Sequence, residues 1–252
     1  MKLHFKSFGE GKPVIILHGL FGSSDNWQTL AKVIAEKYKV YLVDQRNHGH
    51  SSHVPEMDYG VMCDDLFELI QDEQLDQVGI IGHSMGGKTA MYFAQEHPEL
   101  IRDLIVVDMG TKKYPPHHQV IFDALLGIDL DKVTMRKQVE EHLRLTIHDN
   151  GVIQFLLKNL YWSEKEKLDW RFNLHVLYRE IDRILDAVPP GRIDVRTLFI
   201  RGEKSNYILN TDFPSLGEQF PGCEIKTIMG AGHWVHAEAP KEFLHEVMSF
   251  LS

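Results

Sequence analysis

The stretch "VGIIGHSMGGKTAM", residues 78 to 91, limits what this chain can become more than any other. An apolar run enters Gly82-His83-Ser84-Met85-Gly86-Gly87 and leaves into a helix-like segment, so one serine has glycine two residues away on each side. Strand, G-x-S-x-G, helix is the pattern of a nucleophile elbow. The serine of such a turn sits in a strained backbone region, and only residues without a Cβ at the flanking positions let strand and helix approach closely enough. The turn lifts the Ser84 hydroxyl above a sheet edge, and the Met85 N–H, in the first helical turn, faces any negative charge that develops there.

The rest of the chain supplies the sheet. Short apolar runs at 13–19, 39–45, 77–84, 103–110, 195–202 and 224–230 read as strands, alternating with helix-like segments. This predicts an α/β fold with a mostly parallel central sheet and helices on both faces. Helices are expected in "WQTLAKVIAEKY", "GVMCDDLFELIQDEQ", the segment after Ser84 ended by Pro98, and a C-terminal helix begun by Pro240. With 252 residues and no linker-like composition, one folding unit is expected. A formal charge of −9 with interspersed signs gives no basic face for nucleic acid. Cys63 and Cys223 are too few and too far apart for a disulfide framework, and no run of about 18 apolar residues suggests a membrane span. These features predict a cytoplasmic protein, monomeric or dimeric, that meets neither nucleic acid nor membrane.

One gap between strands is too long for a loop. Residues 111–190 carry helical periodicity in "HQVIFDALLGI", "MRKQVEEHLRLTI", "GVIQFLLKNLYW" and "HVLYREIDRILDAV", and they concentrate Tyr161, Trp162, Trp170 and Phe172. They read as a helical cap inserted into a core made of residues 1–110 and 191–252. In parallel α/β sheets ligands bind at the carboxyl ends of the strands, which such a cap would roof. Phe21, Trp162, Phe172 and Trp234 are the candidate substrate-binding residues.

An activated serine needs a base. Of fifteen histidines, His233 in "MGAGHWVHAEAP" follows the last strand and precedes the final helix, where the base of this architecture belongs. His236, three residues on, reads as a loop or capping residue, and His83 as structural. The loop "ILHGLFGSSDNW" offers the Leu20 N–H as a second oxyanion donor beside Met85, with His18 as a clamp for the loop. Asp44 and Arg46 in "DQRNHGHSS" read as residues that pin loops together.

The stretches "HGLFGSSDNW", "DQRNHGHSS", "GHSMGGKTAM", "GVIQFLLKNL", "WRFNLHVL" and "GAGHWVHAEAP" resemble the α/β-hydrolase superfamily, and within it the small esterases that include bacterial YbfF-type and mitochondrial abhydrolase-domain-11 proteins. The resemblance spans nearly the whole chain. It implies an α/β-hydrolase fold and a Ser-His-Asp serine hydrolase, without cofactor or metal, acting on short to medium acyl esters or acyl-CoA thioesters. The same triad also serves perhydrolases and carbon–carbon bond hydrolases, and a hydrolase-fold receptor can keep it without turnover. The absence of an Arg-rich leader favours the bacterial, cytoplasmic type. In the commonest superfamily pattern the triad acid lies three residues after a glycine that ends the penultimate core strand. Here that glycine is Gly202 and the residue is Ser205, which cannot carry the charge. Two carboxylates remain, Glu203 and Asp108. Asp108 is preferred because it ends the strand after the nucleophile helix and keeps the order Ser84, Asp108, His233.

Overall fold

The computed structural model describes residues 1–163 and 167–252. Seven strands form the main sheet: β1 (His4–Phe8), β2 (Pro13–Leu17), β3 (Lys39–Asp44), β4 (Val78–His83), β5 (Ile101–Val107), β8 (Thr197–Gly202) and β9 (Glu224–Ile228). A separate pair, β6 (Leu160–Trp162) and β7 (Leu168–Trp170), lies between β5 and β8 in the chain. The sheet order is β1-β3-β2-β4-β5-β8-β9, and every pairing is parallel except β1 with β3. This is the expected mostly parallel sheet, and β4 and β5 lie beside each other at its centre.

The pleat divides each strand between two cores. In β2, Ile15 and Leu17 pack toward Leu66 and Ile70 of α2 (Tyr59–Asp72) and Ala90 and Phe93 of α3 (Met85–Glu96). Val14 and Ile16 pack the other way, against Ile34 of α1 (Gln28–Ile34) and Phe243 and Phe250 of the C-terminal helix (Pro240–Leu251). Apolar residues on both faces of a strand require helices on both sides of the sheet. None of the described helices is long and apolar enough to cross a membrane.

The segment between β5 and β8 has its own core, with Phe122, Leu143, Leu156, Phe172 and Leu177 buried together against Phe21. It contains α4 (Gln119–Leu126), α5 (Arg136–Leu143), α6 (Asn150–Leu157), the β6–β7 hairpin, α7 (Leu174–Arg179) and α8 (Ile181–Ile184). The sequence reading of "GVIQFLLKNLYW" as one helix needs correction. The helix stops at Leu157, the Asn159 amide turns back to donate to the Phe21 carbonyl at 2.7 Å, and Leu160–Trp162 becomes a strand. The expected helix in "HVLYREIDRILDAV" is likewise two short helices broken at Glu180. In the core, three elements had not been expected: edge strand β1, α9 (Phe213–Gln219), which carries Pro214 and Gly217, and the short α10 (Val235–Glu238), which precedes α11 (Pro240–Leu251).

The inserted segment is gripped where it leaves and rejoins the core. Lys88 on α3 has no exposed surface. Its Nζ donates to the carbonyls of Lys112 at 3.0 Å and Leu185 at 3.3 Å, and to that of Asp186. The ring of Tyr114 lies 5.0 Å from the same ammonium. Burial pulls the Lys88 pKa down to about 7, opposed by the nearby charge of Asp186. Tyr59 and Tyr92 add hydroxyl bonds to Ile184 and Ala187 of the returning chain.

Replacing Lys88 by Met keeps the apolar stem but takes the donor from the Lys112 and Asp186 carbonyls, while that of Leu185 keeps the Tyr114 N–H, a loss of about 2–4 kcal/mol. The expected fall in Tm is roughly 5–15 °C for a domain of this size. Thermal denaturation followed by circular dichroism checks it, and an unchanged Tm would contradict the latch.

Candidate active site

The elbow forms as its glycines require. Ser84 has φ 51 and ψ −118, a conformation costly for any residue with a side chain. A Cβ on Gly82 would lie 2.3 Å from the Gly86 carbonyl oxygen, and one on Gly86 would lie 2.5 Å from that of Leu17. The two glycines thus allow β4, α3 and the end of β2 to meet around one serine. Ser84 opens α3, so the Met85 N–H is among the first-turn donors that have no helical partner.

The loop after β2 comes to the same place. His18 donates from Nδ1 to the Gly19 carbonyl at 2.8 Å, which leaves Nε2 to accept the Gln45 N–H at 3.0 Å. His48 repeats the device: Nδ1 donates to the Arg46 carbonyl and Nε2 accepts the Phe21 N–H at 3.2 Å. Burial holds both rings neutral, taking the His48 pKa down to about 3 and lowering that of His18. The Phe21 N–H is therefore occupied, whereas the Leu20 N–H meets no hydrogen-bond partner among the described residues. Asp44 accepts from the Ser24 and His50 amides, and Arg46 pairs with Asp65, so both pin loops as expected from the sequence.

Asp108 follows β5 directly, with φ 48 and no exposed surface. Its Oδ2 lies 2.7 Å from His233 Nδ1 and also accepts the Ser205 hydroxyl; its Oδ1 accepts the Gly202 N–H at 3.0 Å. With Nδ1–H directed at a carboxylate, the His233 Nε2 lone pair is left to act as a base. Burial raises the Asp108 pKa, and the bonds from Ser205 and Gly202 oppose it. Burial also lowers the His233 pKa, favouring the neutral ring. Glu203, the other candidate acid, turns away and accepts the Gly230 N–H at 2.8 Å. The His233 carbonyl is held in turn by His83, whose Nε2–H donates to it at 3.0 Å.

Ser84 and His233 line one cavity of about 60 Å³. No hydrogen bond joins the Ser84 and His233 side chains; such contacts often tighten only around a bound substrate. Its walls are Leu20, Phe21 and Trp234 from the core and Ile121, Val152 and Phe155 from the insertion. Of the four residues expected to touch substrate, Phe21 and Trp234 are in this wall, but Trp162 and Phe172 are not. Trp162 is half exposed at the outer end of β6, and Phe172 is buried in the insertion's own core, stacked on Trp170. His236 is no capping residue: it stacks on Trp27 with ring centroids 4.0 Å apart, and it also lines the cavity.

The α/β hydrolase fold family matches residues 12–147, more than half of the chain. Esterase YbfF of Escherichia coli is 36% identical over 95% of this chain and 93% of its own. The chain belongs to the α/β-hydrolase family, in its esterase/lipase-type branch. The sn-1-specific diacylglycerol lipase ABHD11 of Danio rerio is 35% identical over 98% of this chain and 80% of its own. Among solved structures, a marine microorganism esterase superposes with a TM-score of 0.97 at 41% identity, covering 99% of both chains.

Sequence reasoning about this hydrolase missed Ser205, seen only as a failed acid. The clue was a hydroxyl at the very position where the acid usually stands. Removing it in Ser205→Ala leaves Asp108 buried with one donor fewer, so its pKa rises further. If Asp108 is the triad acid, activity then fades at higher pH than in the wild type as the solution is acidified. The expected result is a kcat lowered roughly 5–30-fold, with the acid limb of the pH–rate profile moved upward. An unmoved limb would contradict this role for Ser205.

Proposed function

We propose that this protein is a carboxylesterase that hydrolyses short-chain acyl esters through an acyl-enzyme on Ser84. The observation that carries the reading is the bond from His233 to buried Asp108 beside the cavity that holds the elbow serine. Ser84 Oγ attacks the ester carbonyl while His233 Nε2 takes its proton, and Asp108 stabilises the imidazolium. The Leu20 and Met85 N–H groups receive the oxyanion. Collapse expels the alcohol, which takes the proton from His233. A water then repeats the sequence and releases the acid.

The insertion acts as a cap. Its Ile121, Val152 and Phe155, with Leu20, Phe21 and Trp234, give the cavity a mostly apolar lining suited to an acyl chain. A volume of about 60 Å³ favours the short end of the chain-length range. Thioesters share the acyl chemistry. A carrier as large and anionic as coenzyme A finds no Lys or Arg among the described residues lining this cavity.

Fluorophosphonate labelling with peptide mapping, combined with turnover of p-nitrophenyl butyrate, tests the proposal. The expected adduct is on Ser84, and Ser84→Ala should lose at least about 10⁴-fold in kcat. An adduct elsewhere, or wild-type turnover by the Ala variant, would overturn the nucleophile. Labelling at Ser84 without turnover of any ester would indicate a receptor.

A further inference from the structure

The loop after β2 is a tight turn held from two sides. Gly19, Leu20, Phe21 and Gly22 form it, closed by the Gly22 N–H donating to the Gly19 carbonyl at 2.9 Å. It starts against the nucleophile's place, since a Cβ on Gly19 would lie 3.1 Å from the Ser84 Cβ. Phe21 takes φ 59, in the left-handed region that an aromatic residue seldom occupies and that only surrounding contacts can hold. Those contacts are specific. His48, from the loop after β3, accepts the Phe21 N–H at 3.2 Å, while Asn159, from the inserted segment, donates its Nδ2–H to the Phe21 carbonyl at 2.7 Å. The Phe21 ring is buried edge-on to Phe122 and Phe172 of the same segment.

Asn159 is fixed for this contact. It is buried two residues past α6, with its N–H on the Leu156 carbonyl at 3.0 Å and its own carbonyl accepting the Arg171 N–H at 2.8 Å. The neighbours of its Nδ2 are two carbonyl oxygens, those of Phe21 and, at 3.3 Å, of Phe155, so the NH₂ group and not the amide oxygen must face them. With its N–H held by the core and its carbonyl by the inserted segment, neither peptide flanking Phe21 can rotate without breaking a buried hydrogen bond. The Leu20 N–H, which meets no partner among the described residues, therefore keeps its direction.

We propose that Asn159 is a positioning residue for ester hydrolysis: from the inserted segment it holds the turn so that the Leu20 N–H points to where the oxyanion forms beside Ser84. The inference rests on the acyl-transfer reading of Ser84 and His233. It goes beyond that reading by making the inserted segment part of the oxyanion-stabilising apparatus, through the backbone of Phe21, as well as a wall of the acyl site. A residue that served stability alone would change the amount of folded enzyme and leave the affinity of each folded molecule for an oxyanion as it was.

Trifluoromethyl propyl ketone, which carries the acyl chain of p-nitrophenyl butyrate, separates the two roles. Ser84 Oγ adds to its carbonyl carbon, the serine proton passes to His233, and the π electrons move to the oxygen, which becomes a stable oxyanion with no leaving group. Asn159→Leu keeps the bulk and removes the donor; Asn159→Ser is a milder change whose hydroxyl is too short to reach Phe21. Exhaustive fluorophosphonate labelling counts the competent sites, so kcat is taken per labelled site. Both variants are expected to lose roughly 10- to 30-fold in kcat, less than the loss of about 10²–10³ on removing an oxyanion donor outright. KM for p-nitrophenyl butyrate should stay within about 2-fold, and Ki for the ketone should rise about as much as kcat/KM falls. An unchanged Ki in either variant, or a raised KM with kcat kept, overturns the proposal. A wild type that labels at Ser84 yet hydrolyses no ester sinks the acyl-transfer reading and this inference together, whereas ester turnover with unaffected variants sinks the inference alone.

Discussion

The bond between His233 Nδ1 and Asp108 Oδ2 joins residues 125 apart in sequence, and much of the architecture serves to make it possible. Asp108 must leave β5 in a left-handed backbone conformation and remain unexposed, while His233 arrives from the loop after β9. A bare carboxylate in that position would be costly, because desolvation favours its protonated form. Donors from the neighbouring strand end, the Gly202 amide and the Ser205 hydroxyl, offset that cost. Parallel pairing of β5 with β8 places them there. His83, next to Ser84, fixes the backbone of His233 from the other side. Sheet order, elbow and the place of His233 therefore depend on one another.

The insertion adds a different kind of constraint. It is built around its own apolar core and attached by polar groups from the core helices, above all Lys88, one helical turn after Ser84. The same helix that presents the serine thus also holds this segment near both its ends. Residues of this segment, Ile121, Val152 and Phe155, form part of the wall of the cavity that Ser84 lines.

The elbow, the parallel sheet and the placing of Asp108 and His233 at its carboxyl edge were legible because each depends on local pattern: glycine spacing, buried apolar runs, and position after a strand. What escaped was set by contacts between distant segments. The periodicity of "FLLKNLYW" continues without a glycine or proline to stop it, yet a tertiary bond from Asn159 to Phe21 ends the helix. Trp162 and Phe172 look like pocket aromatics in sequence, but which way a cap side chain faces depends on packing that periodicity does not encode. Edge strand β1 is five residues of half-exposed chain with little alternation to reveal it. Ser205 could not be read as a partner of Asp108 until the adjacency of β5 and β8 was known.

Kinetics of two isosteric variants test the central claim most directly: that the carboxylate beside His233 is the one ending β5, not the one in the loop after β8. Asp108→Asn is expected to lower kcat by roughly 10³- to 10⁴-fold, because the amide no longer favours the productive imidazole tautomer or stabilises its cation. Glu203→Gln, whose side chain binds only a loop amide, should stay within about 3-fold of wild type. The reverse ranking, with Asp108→Asn active and Glu203→Gln crippled, would contradict the account.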